Sequence, residues 1–372
     1  MTKKETLVAV GIPAYKAQGT IFKTLASIAV QSISDKIKVY IAKDCPYDVY
    51  DEIVNCFPDM EIKVLNTEVN TGPGLARQRA LEAAYEDGCE LITFIDADDV
   101  FYDQYSLETL LQGFNSPEVV VSQGAFLQKT PMGFVPRGDV GHPWVFGRMY
   151  AIKFLKENGI SFSGLRCMED GEFNAKVRML IEGTPLKWNM TDRAVYYWNE
   201  GSEHSITRTI WKGHNNDMPI YNLGGCSKGA AICFKRAIEF VARKNPFNPS
   251  IVRTASELMV DKYFTYFESV QNFPEYAEQN AFIASWWYHN VFIKYAPNVE
   301  YETLEQIFMS MLMGKAGTFK AFPEKTFKQF YDWIKDLPYD NDTLKDIRSR
   351  IPEELLALES NTGSNEDMGE DM

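Results

Sequence analysis

Three carboxylates, Asp96, Asp98 and Asp99, crowd into four positions directly after the apolar run Leu91-Ile-Thr-Phe-Ile95. Ionised carboxylates this close repel one another, so a folded chain keeps them only where something neutralises their charge. A hard divalent cation held by oxygen ligands, itself gripping a phosphate, is the natural neutraliser. A second acidic pair, Glu169-Asp170, stands just before a helical pattern at residues 171–181. Acids there can cap the helix, because free N–H groups and the helix dipole favour them. A carboxylate facing a cleft can equally serve as a general base. Taken alone, the first cluster could be a solvated turn and the second a cap.

The elements around these acids favour chemistry. Short apolar runs at residues 7–12, 38–42, 62–65 and 91–95 read as strands, and helical patterns at 21–30, 50–57 and 74–85 fall between them. Strand–helix alternation with short connections predicts an α/β fold, a Rossmann-like, mostly parallel sheet flanked by helices. Ligands of such sheets sit beyond the carboxyl ends of the strands. Pro13–Tyr15, Asp44 and Asp96–Asp99 all fall there. From 101 to 225 the pattern is mixed: a helix near 107–114, a strand at 119–122 and a Gly/Pro-rich loop at 131–143. Helices at 151–158 and 171–181 follow, then an aromatic strand at 195–198. Beyond 228 the period is helical and dense in Tyr, Phe and Trp, the pattern of a packed core. Residues 358–372 are polar and acidic and read as disordered.

The 372 residues leave room for one large domain of about 1–225, a helical region at 226–357 and that tail. A net charge of −13 argues against general binding to polyanions, although residues 201–260 carry eight Lys/Arg against four Asp/Glu. The six cysteines form no C-x-x-C pair. With no N-terminal apolar signal and no membrane-spanning apolar run, a reduced, cytoplasmic setting is expected.

Four segments in order carry a resemblance: Val8-Ala-Val-Gly-Ile-Pro-Ala-Tyr15, Asp44, Asn70-Thr-Gly-Pro-Gly-Leu-Ala-Arg77 and Asp96-Ala-Asp-Asp99. Together with Trp144-Val-Phe-Gly-Arg-Met-Tyr150 and Glu169-Asp-Gly-Glu-Phe-Asn174 they resemble a family 2 glycosyltransferase of the GT-A fold, over roughly residues 5–210. The resemblance implies a nucleoside-diphosphate sugar, more readily UDP-linked than GDP-linked. Pro13, Ala14 and Tyr15 would flank the nucleobase and Asp44 would accept the imide N–H of uracil. Gly72 lets backbone approach the ligand, and Arg77 would meet the diphosphate or a neighbouring carboxylate. Asp96 and Ala97 would lie against the nucleotide, with Asp96 also near the metal. Asp98 would contact Mn²⁺ or Mg²⁺ directly, and Asp99 would orient the metal or sugar hydroxyls. His204 would complete the metal shell and Arg208 would hold phosphate oxygens. Asp170 is implied as general base, with Glu169 positioning it or binding the acceptor.

Departures are also visible. The usual D-D-G-S after the second strand is Lys43-Asp-Cys-Pro46 here, and A-R-N is Ala76-Arg-Gln78. The Q-x-x-R-W signature of processive synthases is missing from the sequence. The expected activity is metal-dependent, inverting transfer to an acceptor hydroxyl, either of a glycan or of a modified DNA base. Two rival readings are a nucleotidyltransferase, which would want a Gly-rich basic loop after the first strand, and a non-catalytic nucleotide-sugar-binding module.

Overall fold

The computed structural model describes residues 8–130, 133–138, 143–165, 168–199, 225–272, 274–314 and 324–337. The chain divides into two compact units, whose described residues are 8–177 with 184–199, and 178–183 with 225–337.

The first unit is built on one mixed sheet. Strand β1 (Val8–Ala14) lies between β2 (Ile37–Lys43) and β4 (Leu91–Phe94), parallel to both, and β2 runs parallel to β3 (Glu61–Leu65). Apolar residues along β1, β2 and β4 are buried, as expected where helices cover both faces of a parallel sheet. Beyond β4 the sheet continues with mixed directions. Strand β8 (Arg148–Ala151) pairs antiparallel with β4 and with β6 (Val119–Thr130). β6 then runs parallel to β9 (Lys187–Trp198), and β5 (Val100–Phe101) pairs antiparallel with β9. Strand β7 (Gly133–Arg137) forms a hairpin with β6, so part of the expected 131–143 loop is strand.

The sequence reading ends a strand at Ser122 because Gln123-Gly124 interrupts the apolar run. The structure carries β6 on to Thr130 because Gln123 is buried with its polar group satisfied: its Oε1 accepts from Arg148 Nε (2.9 Å) and Trp188 Nε1 (3.0 Å). Arg148 belongs to β8, a strand hidden inside the Trp144–Tyr150 motif, and the following helix α5 therefore starts only at Ile152 (Ile152–Glu157).

Helix α1 (Ile21–Ala29) buries Ile21, Leu25 and Ile28, the spacing of an amphipathic helix, in the core formed with alternate residues of β1 and β2. Helix α2 spans Asp51–Val54, shorter than expected. Helix α3 (Pro73–Glu86) starts on a proline, whose missing N–H costs nothing in the first turn, and turns Ala76, Ala80, Leu81 and Ala84 inward. Helix α4 (Ser106–Gln112) lies over the same core, and α6 covers Glu169–Ile181. Glu169 and Asp170 are thus inside the first turn of α6, two residues earlier than the pattern predicts.

The second unit holds helices Gly225–Lys244, Pro249–Asn272, Ala277–Trp287, Tyr301–Gly314 and Glu324–Asp336, and aromatic rings join the second, fourth and fifth of these. Phe308 stacks on Phe327 (4.9 Å between centroids), and Tyr263 meets Phe327 and Phe330. Trp287 is fully buried and donates Nε1–H to the Ala255 carbonyl (3.0 Å). These rings form core. Among the described residues no helix is long and apolar enough to cross a membrane.

Candidate active site

The centre of the site is a guanidinium. Arg77, on the second turn of α3, is 4 % exposed. Its Nη1 donates to Asp170 Oδ1 (2.8 Å) and Glu169 Oε1 (2.9 Å), and its Nη2 donates to Asp96 Oδ1 (2.7 Å). One side chain therefore gathers the acidic turn after β4 and the acidic pair opening α6. Burial alone would weaken the Arg77 charge, but the fields of Asp170, Asp96 and Glu169 outweigh it and hold the group firmly protonated.

The close approach of α3 and α6 depends on Gly74. A Cβ there would lie 2.6 Å from the Ser163 carbonyl oxygen and 2.9 Å from Glu169 Cγ. Residue 74 is thus where the two acidic segments are allowed to meet the same arginine.

Asp170 is further held by Val145, whose N–H donates to its Oδ2 (3.3 Å). Burial raises the Asp170 carboxyl above the ordinary carboxylate range, with Arg77 pulling the other way. Such a carboxylate is a stronger base than a free aspartate. Asn174, one turn further along α6, donates to the carbonyls of Pro143 (2.7 Å) and Trp144 (3.1 Å), fixing the 143–145 segment against the helix.

The three aspartates after β4 have diverged in role. Asp99 is 2 % exposed and accepts from Tyr196 OH (2.6 Å) and the Asn199 N–H (2.7 Å). Burial, then the charges of Asp96 and Asp98, push its pKa well up. It anchors the acidic turn to β9, while Asp96 and Asp98 remain partly exposed. Asp96 and Asp98 supply carboxylate oxygens just past the carboxyl end of β4, a donor type that fits a hard divalent cation. Among the described residues no group of three or more His, Cys, Asp or Glu is placed to hold a metal by itself. His204 and Arg208 lie outside the described residues.

The sheet edge beside this turn is built from β1, β2 and the loop before α3. Asp44, at the end of β2, is buried and accepts from Thr71 N (2.7 Å), Thr71 Oγ1 (3.1 Å) and Gly72 N (3.0 Å). Burial raises its pKa against those bonds. The carboxylate thus ties the Asn70–Gly72 loop to β2. Arg79 closes the same loop from the other side, donating to Thr71 Oγ1 (2.9 Å) and to the Lys43 carbonyl. Pro13 and Ala14 end β1, and Tyr15 follows, a residue 49 % exposed. Ala97 is packed into the core beneath the acidic turn.

Sequence reasoning missed Asp48. This buried carboxylate accepts from Lys16 N (2.6 Å), Gln18 Nε2 (2.9 Å) and Tyr50 OH (2.8 Å), and so fixes the loop that carries Tyr15. It stands four residues after Asp44, past the expected second acid, and no spacing rule marks it. Tyr196 and Asn199 were missed as well, although the aromatic run ending β9 was visible.

Residues 9–166 match the family model described as glycosyl transferase family 2. This region belongs to that family. Glycosyl transfer is the activity of the family that this region matches, and a helical region follows it in the chain. Solved structures similar to the chain include S. aureus TarS 1-349 in complex with UDP-GlcNAc, at 19% identity and a TM-score of 0.48, covering 83% of this chain and 92% of that one. Another is the mannosyltransferase PcManGT from Pyrobaculum calidifontis in complex with GDP-Man and Mn2+, at 13% identity and a TM-score of 0.48, covering 90% of this chain and 86% of that one. No curated protein matches the chain.

Proposed function

We propose that this glycosyltransferase is metal-dependent and inverting. It moves a sugar from a nucleoside-diphosphate sugar, UDP-linked by preference, to an acceptor hydroxyl of a glycan or of a modified DNA base. The observation carrying the reading is the Arg77 junction, which joins a carboxylate at the nucleotide edge (Asp96) to a buried, basic carboxylate on α6 (Asp170). A nucleotidyltransferase has no need of that second carboxylate beside the sugar.

In this reading Tyr15 stacks on the nucleobase, and Asp44 and Arg79 hold the Asn70–Gly72 loop in the shape that meets it. Asp98, with Asp96, would hold Mn²⁺ or Mg²⁺. The cation supplies charge neutralisation for the departing diphosphate. Asp170 takes the proton of the acceptor hydroxyl as its oxygen bonds to the anomeric carbon. The bond from that carbon to the diphosphate oxygen breaks on the opposite face, its electron pair leaving with the nucleotide. Glu169 shares Arg77 with Asp170 and keeps the guanidinium, and through it the base, in place.

A screen of UDP-, GDP- and dTDP-sugars with Mn²⁺, with and without EDTA, tests the reading by the nucleotide released. Metal-dependent release is expected for at least one UDP-sugar. If no nucleotide sugar is cleaved or bound under any metal condition, the reading fails.

A further inference from the structure

Arg148 opens β8 fully buried. Its Nε donates to Gln123 Oε1 (2.9 Å), the acceptor that also takes the Trp188 Nε1–H (3.0 Å), and its guanidinium carbon lies 4.9 Å from the centroid of the Trp188 ring. Its Nη1 donates to the Trp144 carbonyl. Withdrawing a guanidinium from water is costly, and this one is held in place from β6, from β9 and from the segment before β8.

The Trp144 carbonyl and the Val145 N–H belong to one planar peptide group. Its carbonyl end takes Arg148 Nη1 from β8 and Asn174 Nδ2 from α6 (3.1 Å). Asn174 is oriented in turn by Tyr150 OH, which donates to its Oδ1 (2.8 Å). The N–H end donates to Asp170 Oδ2 (3.3 Å), while Arg77 holds Oδ1 of the same carboxylate (2.8 Å). Two donors on the carbonyl fix the plane of the peptide, and with it the direction of the N–H. They also polarise the group, which strengthens that N–H as a donor. Asp170 is thereby gripped at one oxygen from α3 and at the other from this peptide, so rotating the carboxylate breaks one bond or the other.

We infer that Arg148 is a positioning residue for Asp170, acting through the peptide between Trp144 and Val145. This rests on the reading of Asp170 as general base and adds to it the group that sets the base's orientation. A base works only when aimed at the proton it removes, and a small misplacement costs rate rather than ground-state binding. Were Arg148 there only to join β6, β8 and β9, its replacement would cost stability, and any effect on turnover would not depend on whether the base is present.

The test uses the full chain and whichever UDP-, GDP- or dTDP-sugar the wild type cleaves fastest with Mn²⁺. Nucleotide release is read with water as the attacking hydroxyl, so no acceptor has to be identified. Arg148→Lys keeps a cation but lacks the fork that reaches Gln123 and Trp144 together. Asn174→Ala removes the other donor to the same carbonyl and leaves Arg148 untouched. Each should lower kcat by about tenfold, with donor KM within about twofold of the wild type. Each is then combined with Asp170→Asn. A residue that works through Asp170 has nothing left to position once the base is gone, so both double variants should turn over within about twofold of Asp170→Asn alone. Thermal midpoints identify the folded variants; should Arg148→Lys fail to fold, Asn174→Ala and its double variant decide. An undiminished kcat in the folded single variants, a loss carried by KM, or the same tenfold loss in the Asp170→Asn background would overturn the inference. Wild-type turnover in Asp170→Asn itself would instead sink the base assignment and the inference with it, and absence of nucleotide release from every donor by the wild type would sink the parent reading.

Discussion

Arg77 and Asp170, 93 positions apart in the chain, meet at 2.8 Å, and the same guanidinium reaches Asp96 at 2.7 Å. Replacing Arg77 with Met removes the cation that the three carboxylates share. Breaking a buried pair from one side costs about 3–5 kcal/mol, so a large drop in thermal midpoint is expected together with loss of turnover. Arg77→Lys supplies charge without the planar fork and should restore stability better than it restores rate. Denaturation and steady-state kinetics on both variants check this; an Arg77→Met protein as stable as the wild type would contradict it.

Asp170→Asn keeps the shape of the side chain and removes the base. Turnover should fall by roughly 10²–10⁴-fold, while UDP binding measured by calorimetry persists. In the wild type the base must be ionised, and burial raises its pKa. Activity should therefore decline as pH is lowered through a value above the ordinary carboxylate range. An acid limb at or below that range would speak against Asp170.

Asp98→Asn should weaken nucleotide binding in Mn²⁺ by about tenfold or more, the scale on which groups around a bound ion act. With EDTA present the variant and the wild type should bind alike. A deficit that survives EDTA would assign Asp98 a different task.

Gly74→Ala places a methyl group 2.6 Å from the Ser163 carbonyl oxygen. Forcing α3 away from Ser163 and Glu169 should cost about 1–3 kcal/mol and lower activity, because Arg77 rides on the displaced helix. Equal stability of variant and wild type in urea would show that the contact yields freely.

Asp87, at the far end of α3, accepts from Lys38 (2.8 Å), Lys63 (3.2 Å) and Tyr40 (3.0 Å). The Lys38 hydrogen bond leads in lowering its pKa to about 2. A depressed carboxylate stabilises the fold above its unfolded pKa of about 3.9 and loses that contribution as pH falls toward the folded value. Asp87→Asn should thus lower the thermal midpoint at neutral pH, by the equivalent of about 1 kcal/mol at most for so exposed a network. The gap should close below pH about 4. A gap independent of pH would mean that packing, not charge, is lost.

The parallel half of the sheet was readable because its strands are unbroken apolar runs and its helices keep a clean period. The acids at the strand ends were readable because placement follows from that topology. Strand β8 was not, since its buried arginine and tyrosine look like part of a motif rather than a strand, and β6 was cut short by a glutamine that only tertiary hydrogen bonds make acceptable. The partners of Arg77 could not be read either: a guanidinium at a helix start suits phosphate as well as carboxylate, and only the fold brings Glu169 to it from 92 residues away. Asp48 is silent in the sequence for the same reason, two of its three donors coming from residues 32 and 30 positions earlier and the third from Tyr50.

Gly72 sits at φ 85°, ψ 164°, with its N–H shared between both oxygens of Asp44. Side chains are essentially barred from that corner of backbone space. A mutational scan of the region should therefore return a single letter at residue 72 while its neighbours drift. Attempts to broaden donor preference by diversifying this stretch would do better to leave the pivot alone and vary what hangs from it.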